Sequence, residues 1–151
     1  MERNDAFTGN VTPDPIDVGA VISSVAMAEC GGIGVFVGTV RRSASVSLNK
    51  DKPVVRLEYE AHPTLAVERL NDILDEAAAK WDLRRAVVIH RVGACDVGEP
   101  TVVVACCAPH RADALDACRY VIDTVKSTVP IWKREIYSDG SEWVGAEGDA
   151  H

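Results

Sequence analysis

The sequence predicts an α+β fold, a single domain in which a largely antiparallel sheet carries two long helices on one face. Three observations lead there. Short β-rich apolar runs recur along the chain, beginning with "GGIGVFVGTV" at 31–40 and "VVRLEYEA" at 54–61. Two longer stretches repeat apolar residues every three or four positions, as amphipathic helices do. The resulting order, strand–strand–helix–strand–strand–helix–strand, suits one sheet covered by a helical layer.

Taken in order, the first residues, "MERNDAFTGNVTPDP", are polar and mixed in charge and lack the apolar core of a signal peptide. Residues 1–14 are expected to form a disordered leader, 15–145 the folded domain and 146–151 a flexible tail. "PIDVGAVISSVAMAE" reads as a strand entry followed by a brief helix. After the glycine-opened strand at 31–40 comes a polar loop, "ASVSLNKDK", and then the alternating strand at 54–61. From Pro63 to Trp81 the apolar residues Val67, Leu70, Leu74, Ala77 and Trp81 share one helical face. "RAVVIHRVG" and "PTVVVACCA" read as strands joined by "ACDVGE". A second helix spans about Arg111 to Thr128, with Leu115, Cys118, Ile122 and Val125 facing inward. "IWKREIY" closes the sheet, and "SDGSEW" reads as a turn.

A length of 151 residues fits one domain with a sizeable core. The formal net charge of −7 argues against a general nucleic-acid binder, so any anion site must be a local basic pocket on an acidic body. No apolar run approaches the roughly 20 residues that span a bilayer, and the expected location is cytoplasmic. Cys30, Cys95, Cys106, Cys107 and Cys118 include no C-x-x-C pair. They admit a zinc or sulfur-carrying reading and a packing one. The apolar run around Cys106 and Cys107 favours packing, with no metal and no cofactor expected.

Four places carry groups that packing does not require. Gly38 interrupts the first long strand ahead of Arg41 and Arg42, which reads as a bulge or a ligand approach, or as solvated arginines at a strand end. In "APHRADAL", Pro109 opens a helix whose first turn holds His110 and Arg111. Free N–H groups and the helix dipole favour an anion there, and a basic pair opposes the usual preference for carboxylates. The alternative is a solvated surface pair. Lys126 ends the same helix, either as a dipole-favoured cap or as a functional group. In "IWKREIY", Ile131, Lys133 and Glu135 fall on one side and Trp132, Arg134 and Ile136 on the other. Neither side is purely apolar, so one is expected to meet a polar cleft. A lysine desolvated beside other cations can serve as a base or nucleophile, and two lysines, two arginines and a histidine could converge here.

The segments "GGIGVFVGTVR", "LEYEAHPTLA", "KWDLRRAVVIHRVG", "APHRADALDACRYVIDTVKSTVPIWKRE" and the trailing Trp143 appear in an order that resembles the MoaE family, the large catalytic subunits of molybdopterin synthase. The resemblance covers roughly Ile16 to Val144. It implies an α/β hammerhead-type fold and a homodimer, each large subunit binding one small ubiquitin-like partner to give a heterotetramer. It also implies an activity: sulfur passes from the partner's C-terminal thiocarboxylate to cyclic pyranopterin monophosphate, forming the molybdopterin dithiolene. Carried over by position, the substrate site falls on Thr39, Val40, Arg41, His110, Arg111, Lys126, Lys133, Arg134 and Glu135. Lys126 would be the principal catalytic lysine, Lys133 its partner, and Glu135 would orient a lysine or balance the cluster. Pro109, the "RRSASVSLNKD" loop and the short acidic tail depart from the family pattern. A non-catalytic anion-binding module, or a protein that docks an acidic chain, is the alternative on the same scaffold.

Overall fold

The computed structural model describes residues 5–43 and 52–146. The chain runs β1 (Phe7–Thr12), α1 (Val18–Val25), β2 (Gly32–Thr39), β3 (Val54–Ala61), α2 (Leu65–Lys80), β4 (Arg85–Arg91), β5 (Gly93–Asp96), β6 (Pro100–Ala108), α3 (Arg111–Thr128), β7 (Ile131–Tyr137) and β8 (Glu142–Ala146). The strands form two four-stranded sheets, ordered β1-β4-β6-β2 and β5-β3-β7-β8. The fold is thus α+β as expected, but two sheets replace the single sheet. Only the β1–β4 pair is parallel among the described strands.

The first sheet is a middle layer, which explains the unbroken apolar run of β6. Val102, Val104, Cys106 and Ala108 join the core beneath α2 and α3. Val103, Ala105 and Cys107 face the other way, into a smaller cluster with Val21 and Val25 of α1. A strand buried on both faces needs no polar alternation. The two long helices do share one face, as the sequence predicts. Helix α1 covers the opposite face, its start capped by Asp17, whose carboxylate accepts the Ala20 N–H at 3.0 Å.

Three local expectations need correction. The leader expected over 1–14 contains β1, paired with β4 from Phe7↔Ala86 to Thr12↔Arg91. Its anchor is remote in sequence. The Asn71 side chain of α2 accepts the Gly9 N–H at 2.8 Å and donates to the Gly9 carbonyl at 3.1 Å. A Cβ at position 9 would come within 2.7 Å of the Leu70 Cβ, so glycine lets α2 lie directly on the strand. The "ACDVGE" link contains β5, which crosses to the second sheet and pairs with β3. Arg91 braces that crossing, with Nη1 donating to Glu99 at 2.9 Å and Nη2 to the Ala94 carbonyl at 3.0 Å. "SDGSEW" turns at Asp139 and Gly140, where φ is 85°, and then continues as β8 against β7.

Helix α3 has the expected bounds and a shifted inner face. Ala114, Ala117, Cys118, Val121, Ile122 and Val125 are buried, whereas Leu115 is 57% exposed. The cause lies in β2, whose Gly32 and Gly34 bring Arg111 and Ala114 of the helix backbone against the strand. Small residues, rather than leucine, make that close contact. The loop expected at 43–52 and the tail at 146–151 fall mostly outside the described residues.

Candidate active site

The corner between α3 and β7 is built from backbone capping. Helix α3 closes with the Val129 N–H on the Val125 carbonyl at 3.2 Å, and the Ile131 N–H turns back to Val129 at 2.8 Å. The Pro130 carbonyl accepts the His62 N–H at 3.2 Å, tying the corner to the end of β3. Lys126 therefore stands in the helix's last turn and Lys133 two residues into the following strand.

In β7 the charged side of the alternation is the buried one. Ile131, Lys133, Glu135 and Tyr137 all point inward, with Lys133 6% and Glu135 2% exposed. An ammonium and a carboxylate removed from water in this way require close polar company. The Tyr137 hydroxyl donates to Glu135 Oε1 at 2.9 Å. On the neighbouring strand, Tyr59 stands opposite Lys133 and Leu57 opposite Glu135. Tyr59 in turn meets the His90 ring edge-on, with centroids 4.9 Å apart. His90 is fully buried, and its Nδ1 lies 2.7 Å from the Arg91 carbonyl. A carbonyl only accepts, so that nitrogen carries the proton. Tyr59, His90 and Tyr137 were not singled out from sequence. The available signal was a polar tip at a position whose strand phase points inward.

Arg134 does not belong with Lys133 and Glu135. It lies on the outer face of β7, 3.3 Å from Glu142 and 4.0 Å from Glu58. Arg134 and Glu58, with Glu60, Trp132 and Val144, line an open groove of about 430 Å³ that Tyr59 and Lys133 also border.

At the end of β2 the strand register shifts between Gly38 and Thr39, confirming the bulge reading of the glycine. Thr39 and Arg41 are exposed, while Val40 is 2% exposed and held on both sides. Its N–H reaches the Glu99 carbonyl at 3.1 Å, and its carbonyl accepts the Gly98 N–H at 2.9 Å. Val40 thus acts as an anchor that presents its two neighbours.

His110 and Arg111 open α3, both exposed. His110 is the N-cap residue, and no side chain closes the first-turn N–H groups. The Gly31 N–H fixes this entrance by donating to the Pro109 carbonyl at 3.1 Å. From Arg111 to Lys126 the helix climbs about 22 Å at 1.5 Å per residue. Strand β2 runs alongside in the same sense, with Gly32 at Arg111 and Gly34 at Ala114, and covers about 23 Å to Thr39. Arg41 therefore stands at the Lys126 end, together with the β7 corner. His110 and Arg111 stand at the far end. The cations expected to converge are divided by the length of a helix, well beyond hydrogen-bond reach.

Among the described residues no group of three His, Cys, Asp or Glu is placed to hold a metal. Cys95 and Cys106 are fully buried, and burial pushes both thiols up; for Cys106 a hydrogen bond with Cys118 is the larger cause.

The model of the MoaE protein family matches residues 11–128. The chain is 42% identical over 135 residues to the molybdopterin synthase catalytic subunit of Bacillus subtilis, covering 89% of this chain and 83% of that one. Its fold is similar to the crystal structure of molybdopterin synthase from Staphylococcus aureus, with a TM-score of 0.81, 31% identity and coverage of 90% and 95%. The fold also matches a chain in the complex of subunits 1 and 2 of molybdopterin-converting factor from Helicobacter pylori. That match has a TM-score of 0.71 at 17% identity and covers 89% of this chain and 87% of the other.

Proposed function

The chain belongs to the MoaE family, and from that premise we propose that it is the catalytic subunit of a molybdopterin synthase, a sulfurtransferase acting on cyclic pyranopterin monophosphate. The sulfur donor is the thiocarboxylated C-terminus of a small ubiquitin-like subunit. The observation that carries this reading is the Lys126–Lys133 corner, where a buried lysine and a buried glutamate share one strand face beside a helix-end lysine. Packing alone does not account for it. Ammonium groups held at such a corner can stabilise the charge that develops as sulfur attacks, and can return a proton to the leaving group. Glu135, held by the Tyr137 hydroxyl, balances that positive charge.

His110 and Arg111 fit the substrate phosphate through charge-assisted hydrogen bonds and the open first turn of α3. Within one chain they cannot serve the same substrate as Lys126. A homodimer resolves the separation. Strand β2 is the edge of its sheet, with Val35 36% and Phe36 38% exposed beside the exposed Leu115. A two-fold axis across that edge sets two β2 strands antiparallel, so the α3 entrance of one copy meets the Thr39–Arg41 and Lys126 end of the other. Each site then draws its phosphate ligands from one chain and its lysines from the other. Arg134, facing outward between carboxylates, drops out of the substrate shell and is assigned to the surface.

The test is direct: combine the chain, a thiocarboxylated small subunit and cyclic pyranopterin monophosphate, and measure formation of the dithiolene. Binding of substrate without turnover would favour the non-catalytic anion-binding module.

A further inference from the structure

The five cysteines play no part in the proposed chemistry, yet four of them are arranged in two pairs. Cys106 and Cys118 lie together in the core under α3, both buried, with the Cys118 thiol donating to the Val104 carbonyl at 4.0 Å. The other pair sits on the opposite face of β6. Cys107 belongs to the small apolar cluster under α1, and Cys30 packs against that same cluster from the turn that precedes β2. Cys30 is thus a neighbour of the Cys107 thiol and raises its pKa. The backbone holds each in place: the Cys30 N–H donates to the Met27 carbonyl at 3.2 Å, and the Cys107 carbonyl accepts the Arg84 N–H at 2.9 Å. The two differ in access, since Cys107 is fully buried and Cys30 is half-buried.

We propose that Cys30 and Cys107 form a peroxide-oxidisable dithiol, a modification site that closes to a disulfide between the β2 approach and β6. One sulfur must be reachable by oxidant and the second must be waiting against it, and this pair meets both conditions. The Cys30 thiolate attacks one oxygen of hydrogen peroxide, the O–O bond breaks, and the departing hydroxide takes up a proton as water. Cys30 is then a sulfenic acid. The Cys107 sulfur attacks the Cys30 sulfur and displaces hydroxide, which leaves as water with the proton that Cys107 gives up. Two thiols and one peroxide become one disulfide and two waters. Burial and the neighbouring Cys30 thiol push the Cys107 thiol up to about 11, which suits the second, resolving role rather than the first.

The position has a consequence. Cys107 lies two residues before Pro109, and Cys30 one residue before Gly31, the two residues joined by the hydrogen bond that fixes the α3 entrance. The disulfide adds a covalent tie across a contact that already positions His110 and Arg111.

Oxidation of the folded full-length chain with a small excess of hydrogen peroxide, followed by unfolding in the presence of an alkylating agent and peptide mass mapping, tests the inference. The expected product has lost two hydrogens and two alkylatable thiols, contains a Cys30–Cys107 linked peptide, and reverts with dithiothreitol. In Cys107→Ser the same treatment should instead add oxygen atoms to Cys30, with no link. The buried Cys106–Cys118 pair is the internal control and should stay reduced. Oxygen addition at Cys30 in the wild-type chain without a link to Cys107 overturns the proposal, as does a link to any other cysteine. The wild-type map decides by itself should the variant fail to fold.

Discussion

Mixing two inactive variants of this chain should restore activity. The reasoning rests on the 22 Å or so of α3 between Arg111 and Lys126, and on the antiparallel alignment of two β2 edges. Lys126→Ala removes a group that stabilises developing charge, a loss commonly of about 10²–10³ in rate. Arg111→Ala removes charge-assisted hydrogen bonds to phosphate worth about 1.5–3 kcal/mol, or about 10- to 100-fold at substrate concentrations below KM. Each variant alone therefore runs at about a tenth of wild type or less. After the two chains are unfolded and refolded together in equal amounts, about half of the dimers are mixed. A mixed dimer has one site with both defects and one site with neither. Activity should return to about a quarter of wild type, because half the dimers carry half their sites intact. The assay is dithiolene formation with saturating small subunit and sub-saturating substrate, before and after co-refolding. If each site lies within one chain, every chain in the mixture stays defective and the rate remains the mean of the two parents. That result would refute the shared-site geometry while leaving the assignment of Lys126 intact.

Lys126→Ala by itself should keep the fold, with a change in unfolding free energy of less than about 0.5 kcal/mol by urea titration, since the residue ends a helix and does not fill the core. A folded variant with wild-type turnover would remove it from the mechanism. Arg111→Ala should weaken substrate binding most at low ionic strength, where an exposed charge is least screened; equal losses from low to high salt would place the phosphate elsewhere. Asn71→Ala should destabilise the protein by about 1–3 kcal/mol, because it strips both Gly9 backbone groups of their partner while β1 stays covered by α2. Chemical denaturation showing no change would mean that β1 is held by its strand pairing alone. A chain with all five cysteines replaced by Ala or Ser should lose stability, yet keep turnover per folded molecule within a few-fold. Recovery of lost activity by one restored thiol would implicate that sulfur in the reaction.

The sequence was most legible where residues with few conformational options punctuate it. Pro109 and Pro130 bracket α3, and the bounds expected for that helix and for β7 are those observed. β1 was not legible because "FTGNVT" offers little apolar alternation. What holds it is an asparagine 62 residues away, and no local pattern reports such a contact. β5 is too short to show a period, and a buried arginine supports the corner that creates it. Leu115 misled because hydrophobicity ranks leucine above alanine, whereas a helix lying on glycines buries its smallest residues. At the site, the residue types were readable and their arrangement was not. Alternation separates Lys133 from Arg134 without saying which side faces inward. Linear sequence also hides that His110 and Lys126 sit at opposite ends of one rigid rod.

The pairing of β1 with β4 decides where this protein can safely be cut. A chain trimmed to the expected domain start at residue 15 would lose the strand that pairs with one side of β4, from Ala86 to Arg91. It would leave a row of backbone donors and acceptors bare on a flat, largely apolar strand, a template for pairing with other chains. Such a fragment should be stable in composition and poor in behaviour, precipitating or associating through an edge the intact protein never shows. A tag fused before residue 5 leaves that edge closed, whereas one that replaces the first dozen residues opens it. For this fold, the N-terminal segment is a sealing strip, and its value would be seen first in solubility rather than in catalysis.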